Sequence, residues 1–144
     1  MQHTFVRNYL HVLWCSKESV RVFQKEQSIQ LTDYLIEKSV ELKCPPLIIG
    51  VQPEHIHCLI ELPPTIRLSD FVQKAKGSSS HWVNQQAFTQ SDFAWQRGYG
   101  AFSVSASQLE VVKRYIRKQE EYHRTKPFKE EFAEWKRNYG YYDD

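Results

Sequence analysis

A chain of 144 residues, 41% hydrophobic and 25% charged, fits one globular domain and leaves little room for a second. Its formal charge of +2 is nearly balanced, so composition alone does not point to nucleic acid, and any cationic surface must be local. Cys15, Cys44 and Cys58 form no CxxC pair, which argues against a zinc knuckle, and no stretch approaches the ~18 apolar residues of a membrane span. A single domain over 1–144 in a reduced, cytoplasmic setting is expected, without a signal peptide.

Val6 to Cys15, rich in Val, Leu, Trp and Tyr, reads as a first strand. Gln27 to Lys43 carries Ile29, Leu31, Leu35, Ile36, Val40 and Leu42 near helical spacing, and Cys44-Pro45-Pro46 stops that helix. Leu47 to Val51 and His55 to Leu62 flank the turn Gln52-Pro53-Glu54 and should form a hairpin. A helix from about Leu68 to Gln85 follows, with Thr65 or Ser69 near its start and a bend or early end at Gly77-Ser78-Ser79-Ser80. A polar connection leads through Gly98-Tyr99-Gly100 into a fourth strand, Ala101 to Val104. Ser105 or Ser107 should cap a helix over about 108–124, and a short C-terminal helix and tail occupy 127–144. The fold class is α+β: a ferredoxin-like β-α-β-β-α-β antiparallel sheet with helices on one face, plus a later helix bearing Tyr115. That fold hosts many functions and cannot itself supply one.

The strand from Glu54 to Leu62 has a period of two. Ile56, Cys58, Ile60 and Leu62 share the core face, so His55 and His57 share the other. Two imidazoles at i and i+2 can converge on one cation, or can be two idle surface histidines. In Val111-Val112-Lys113-Arg114-Tyr115-Ile116-Arg117-Lys118-Gln119, Tyr115 and Gln119 are four apart and share one helical face. Taken alone, Tyr115 reads as an aromatic packed on the sheet. Lys113, Arg114, Arg117 and Lys118 around it read either as a solvated charged face or as a phosphate-binding one. Glu54 or Glu61 could orient an imidazole, with Glu61 favoured on the solvent side; His11, His81 and His123 read as structural.

Pro53-Glu54-His55-Ile56-His57 resembles the HUH motif (His, bulky hydrophobic, His), and Val112 to Gln119 resembles the tyrosine motif of single-tyrosine HUH transposases. These form the insertion-sequence-200-like family, with REP-associated tyrosine transposases among its relatives. His11-Val12-Leu13-Trp14 with Lys17, Lys76-Gly77-Ser78-Ser79-Ser80, and Trp95-Gln96-Arg97-Gly98-Tyr99-Gly100 agree with it in order, so the likeness runs from about His11 to Phe132.

The resemblance implies that Tyr115 is the nucleophile and that His55, His57 and Gln119 hold a divalent metal, Mg2+ or Mn2+. It implies a substrate of single-stranded DNA, often with a hairpin, and a homodimer in which Tyr115 can serve the partner's site. Cleavage would leave a covalent 5′-phosphotyrosine and a free 3′-hydroxyl. The bond energy kept in that adduct makes ATP unnecessary, in keeping with the lack of a Gly-x-x-x-x-Gly-Lys-Ser/Thr loop. Expected DNA contacts are Lys17, Lys76, Ser78, Ser79, Arg97, Lys113, Arg114 and Lys118, with one of Trp82, Trp95, Tyr99 or Phe102 stacking a base. The competing functions are a ferredoxin-like module that binds single strands on an open sheet, including a domesticated or inactive relative, and a zinc hydrolase built on the histidine pair. The hydrolase lacks an obvious third charged ligand in the sequence.

Overall fold

A computed structural model describes residues 4–119 and 128–138. Strand β1 (Tyr9–Cys15) leads through a 3-10 turn at Lys17–Ser19 to helix α1 (Lys25–Glu41). Strands β2 (Pro46–Val51) and β3 (His55–Glu61) follow, then helix α2 (Leu68–Gln85) and strand β4 (Gly100–Val104). A 3-10 turn at Ala106–Gln108 precedes α3 (Leu109–Arg117), and α4 (Phe128–Asn138) is the last element. The strands form one antiparallel sheet in the order β2-β3-β1-β4, as the ferredoxin-like plan requires.

The hairpin turn forms where Pro53 forces one: the Gln52 amide donates to His55 O at 2.8 Å. Strand alternation then sorts the side chains. Val12, Trp14, Ile49, Val51, Ile56, Cys58 and Ile60 face α1 and α2, against Leu31, Leu35, Phe71, Val72, Ala75 and Val83. Both of these helices therefore lie on one face, as expected. Helix α2 starts after Arg67 and runs unbroken through Gly77, contrary to the expected bend. A Cβ at Gly77 would meet nothing within 4 Å, so this glycine is simply exposed helix surface.

The opposite face was expected to be open around His55 and His57, and it is covered. Helix α3 packs Val112 and Ile116 on Leu59 and Val104. Helix α4 brings Phe132 to Phe102 with ring centroids 6.4 Å apart. Helix α3 closes at Arg117 with Lys118 as its cap, and residues 120–124 of the expected helix lie outside the described ones. Neither Ser105 nor Ser107 caps it through a side chain; the 3-10 turn intervenes, and Gln108 is the cap residue.

Gly50 fixes how closely α3 approaches the sheet, because a Cβ there would stand 2.9 Å from Ile116 Cγ2. Gly50→Ala should destabilise the fold by about 1–3 kcal/mol through overpacking. Ile116→Ala removes that Cγ2 methyl, so it should cost less in the Gly50→Ala background than in the wild type. Urea unfolding of the two single variants and the double variant checks this; additive losses would mean that the contact does not limit the packing.

Candidate functional site

His55 opens β3, and His57 follows on the same face. Both are fully buried, because α3 and α4 close over them. The Nε2 atoms of the two rings converge to 3.1 Å. Each ring is held from behind: His55 Nδ1 lies 3.1 Å from Glu54 Oε1, and His57 Nδ1 lies 2.8 Å from His11 Nε2. A carboxylate only accepts, so His55 donates from Nδ1 and its Nε2 carries a bare lone pair. Either ring can donate in the His57–His11 hydrogen bond, and with His11 as donor the His57 Nε2–H is directed at Glu131 and His55 Nε2. Of the two glutamates considered for this task, Glu54 performs it, while Glu61 pairs with Arg7 at 2.9 Å on the surface. His11 is a fully buried partner of His57, and His81 is exposed on α2. His123 lies outside the described residues.

The carboxylate of Glu131, from α4, completes the cluster. Its oxygens lie 3.2 Å from His57 Nε2 and 3.6 Å from His55 Nε2. His55, His57 and Glu131 form a set of donor atoms within 4.8 Å of one another, suited to a cation.

Tyr115 comes from α3. Its ring meets the His57 ring edge-on at 5.9 Å between centroids, and its hydroxyl donates to Glu131 Oε1. Gln119 follows the cap of α3 and is fully buried, and neither atom of its side-chain amide has a hydrogen-bond partner. An unsatisfied buried amide costs about 1–3 kcal/mol for each group, which a ligand would recover.

Burial governs the ionisation here. It lowers His55 to about 4, against the pull of Glu54, and it holds His11 well below the usual histidine range, helped by the neighbouring histidines. Burial alone would raise Glu131. The hydrogen bond and charge of His57, together with the Tyr115 hydroxyl, outweigh it and bring the carboxyl down to about 2.

The expected DNA contacts separate into two groups. Lys17, Arg97, Arg114 and Lys118 are exposed. Lys113 is paired with Glu110 at 3.3 Å. Lys76 donates to the carbonyls of Gln96 and Gly98, both at 2.8 Å, and so braces the loop before β4. Ser79 is fully buried, accepts from Trp95 Nε1 at 3.0 Å and donates to Lys76 O at 3.1 Å. Ser78 donates to Ala75 O at 3.4 Å. Of the aromatics, Trp95 and Phe102 are buried and Trp82 stacks on Tyr34, while Tyr99 is 42% exposed.

Glu131 escaped the sequence reasoning. It sits in Lys129-Glu130-Glu131-Phe132, where two acidic residues in the first turn of a helix look like ordinary dipole compensation. No local spacing connects it to the histidines.

An antiparallel ferredoxin-like sheet that carries a buried histidine pair beneath a tyrosine helix defines the class of the protein. A family model described as "Transposase IS200 like" matches residues 4–119, and the chain belongs to that family. It is 25% identical over 114 residues to the ISDra2 transposase TnpA of Deinococcus radiodurans, covering 76% of this chain and 81% of that one. Its fold is similar to the crystal structure of a candidate transposase from Deinococcus radiodurans R1, with a TM-score of 0.68 and 21% identity over 83% of this chain and 95% of that one. It is also similar to a REP-associated tyrosine transposase solved bound to a REP hairpin, with a TM-score of 0.62 and 14% identity over 85% and 73% of the two chains. No helix among the described residues is long and apolar enough to cross a membrane.

Because His55 and His11 are held neutral, only the unfolded chain takes up their protons as pH falls below about 6.5. Stability without metal should therefore drop between pH 6.5 and about 4, by a few kcal/mol in all. Glu131 does not offset this, since it stays ionised in the folded state throughout the window. Denaturant midpoints in chelator from pH 7.5 to 4.5 test the expectation; a flat profile would mean that the folded protein protonates these rings.

Proposed function

We propose that this transposase cleaves and rejoins single-stranded DNA through a covalent 5′-phosphotyrosine on Tyr115, with a divalent metal at the histidine pair. The observation that carries this proposal is the meeting of Tyr115, His55 and His57 at one carboxylate, Glu131. His55, His57 and Glu131 would hold the metal, with the unsatisfied amide of Gln119 as the further donor. Mg2+ or Mn2+ would suit two imidazoles, a carboxylate and an amide, and the nitrogen donors favour Mn2+. When bound, the metal neutralises the non-bridging oxygens of the phosphodiester and polarises phosphorus.

The protein's own groups supply the rest. Glu54 and His11 lock the imidazoles in place. Glu131 orients the Tyr115 hydroxyl and is the nearest acceptor for its proton. The phenolic oxygen bonds to phosphorus as the bond to the 3′-oxygen breaks, and the departing oxygen takes up a proton to become the 3′-hydroxyl. Rejoining is the reverse. The carboxylate reduces the charge that two imidazoles and an amide alone would leave on the cation, but it ties the nucleophile to the same point.

Tyr115 lies at the histidines of its own chain. That supports action in cis, with a homodimer serving other purposes than completing the site. A hairpin-containing substrate is supported by the fold shared with the REP-hairpin-bound transposase. The covered sheet face counts against a module that stacks single strands on an open sheet. Glu131 does supply the third ligand that a zinc hydrolase would need, but the tyrosine hydroxyl at that same carboxylate favours a covalent transposase mechanism.

With labelled single-stranded DNA and Mn2+, the wild type should form a denaturation-resistant adduct, and Tyr115→Phe should lower its yield more than about a thousandfold. His55→Ala with His57→Ala should abolish cleavage while the far-ultraviolet circular dichroism is retained. A hydrolysed product without any adduct would establish the hydrolase instead. Glu131→Gln should weaken Mn2+ binding at least about tenfold, measured by the electron paramagnetic resonance signal of free Mn2+. For action in cis, mixing Tyr115→Phe with His57→Ala protein should restore no adduct; recovered adduct would place Tyr115 in trans.

A further inference from the structure

A cavity of about 270 Å³ opens beside the site, between β1, the loop before β4 and Phe132. Its floor is Leu13 and Cys15, which pair across the β1–β3 ladder with His57 and His55 and share their face. Directly opposed side chains of this kind lie about 4.5–5.5 Å apart at Cβ, so the cavity begins one side chain away from the imidazoles. Phe132, next in sequence to Glu131, forms one wall, and a Cβ on Gly100 would stand 2.7 Å from its ring. Tyr99 and Arg97 stand exposed at the rim.

The loop that carries them is braced. Lys76 holds the carbonyls of Gln96 and Gly98. The Gln96 amide donates to Cys15 O at 2.8 Å, and its side-chain oxygen accepts from the Glu18 amide at 2.9 Å. Gly98 turns the chain at a φ of +86°, a conformation that favours glycine. Such bracing lowers the ordering cost of binding.

We propose that this cavity receives one unstacked nucleobase of the DNA strand, next to the phosphate that Tyr115 attacks. The inference rests on the function proposed above and extends it to the substrate's base. Size and chemistry select the occupant. The volume lies just below the ~300 Å³ at which pockets for drug-sized ligands begin, so it suits a single planar ring system. Its lining is largely apolar and aromatic, which excludes a phosphate from the interior, while Arg97 at the rim can take the phosphate that must follow the base. Few side-chain donors face inward, so stacking outweighs hydrogen-bond readout and the cavity should tolerate several bases. The larger cavity, about 440 Å³ between α1 and β2, contains none of the histidines or Tyr115 and offers no such link to the chemistry.

The probe is a 12-nucleotide single strand of dT carrying one 5-iododeoxyuridine at successive positions. It is irradiated with full-length Tyr115→Phe protein, so that no covalent catalysis enters the readout. Cross-links should map to Tyr99 or Phe132. Tyr99→Ala should weaken binding of fluorescent dT strands about 5- to 100-fold by anisotropy, with an unchanged thermal midpoint, and Tyr99→Phe should stay within about twofold. Cross-links that all fall outside residues 96–100 and Phe132 would overturn the proposal, as would wild-type affinity in Tyr99→Ala. An effect of Tyr99→Ala on self-association instead of DNA affinity would assign the cavity to a second copy of the chain and overturn it too. Cross-links at Tyr99 together with a wild type that forms no Tyr115 adduct would uphold the base site while defeating the nucleophile assignment.

Discussion

The antiparallel pairing of β1 with β3 is the constraint on which the rest depends. It runs without interruption from Tyr9 against Glu61 to Cys15 against His55. In this register His11, Leu13 and Cys15 share a face with His55 and His57, and Val12 and Trp14 go to the opposite side with Ile56, Cys58 and Ile60. Side-chain direction has a period of two, so a slip of one residue would drive the imidazoles into the apolar layer beneath α1 and α2. That layer holds the register: burying a histidine pair there without partners costs several kcal/mol, whereas the observed register buries Trp14, Ile56 and Ile60.

The second face is where this fold becomes a site. A four-stranded sheet with helices on one side normally leaves its other side to solvent. Here α3 and α4 cover it, so the histidines lie in a low-dielectric environment where charge is costly. Burial keeps His55 neutral, the form in which an imidazole can ligate a cation. The same environment makes the uncompensated amide of Gln119 expensive and gives weight to the approach of Glu131 to both imidazoles. Two imidazoles and a carboxylate held this close together form a donor set suited to a cation.

The parts legible in the sequence were those with local periodicity. Alternation around His55 and His57 placed both on one face, and the strand and helix order predicted the sheet topology. Pro53 marked the hairpin. What resisted was set by packing between distant segments. Gly77 looked like a break, but exposed glycine in a helix whose other face buries Phe71, Val72 and Ala75 costs only about 1 kcal/mol, too little to interrupt it. Lys76 and Ser79 looked like phosphate ligands because their residue types suit phosphate; their engagement with Gln96, Gly98 and Trp95 depends on a loop that lies far along the chain. Glu131 was illegible for the same reason.

Glu131 also changes what α4 means. A helix whose carboxylate touches both histidines and the tyrosine hydroxyl cannot move independently of the site. Its next residue, Phe132, seals against Phe102 and approaches Gly100, so α4 is anchored to the sheet at the position where its carboxylate must point inward. The contact with Tyr115 then links α3 to α4 across the histidines. Tyr115 is thus held from two sides: by the packing of Ile116 on Gly50, and by a hydrogen bond to a group that itself faces the imidazoles. If α3 were to leave its own sheet to serve another chain, it would expose Val112 and Ile116 and leave Glu131 without the Tyr115 hydroxyl. The covered face therefore ties the geometry of the site and the choice between cis and trans to the same few contacts.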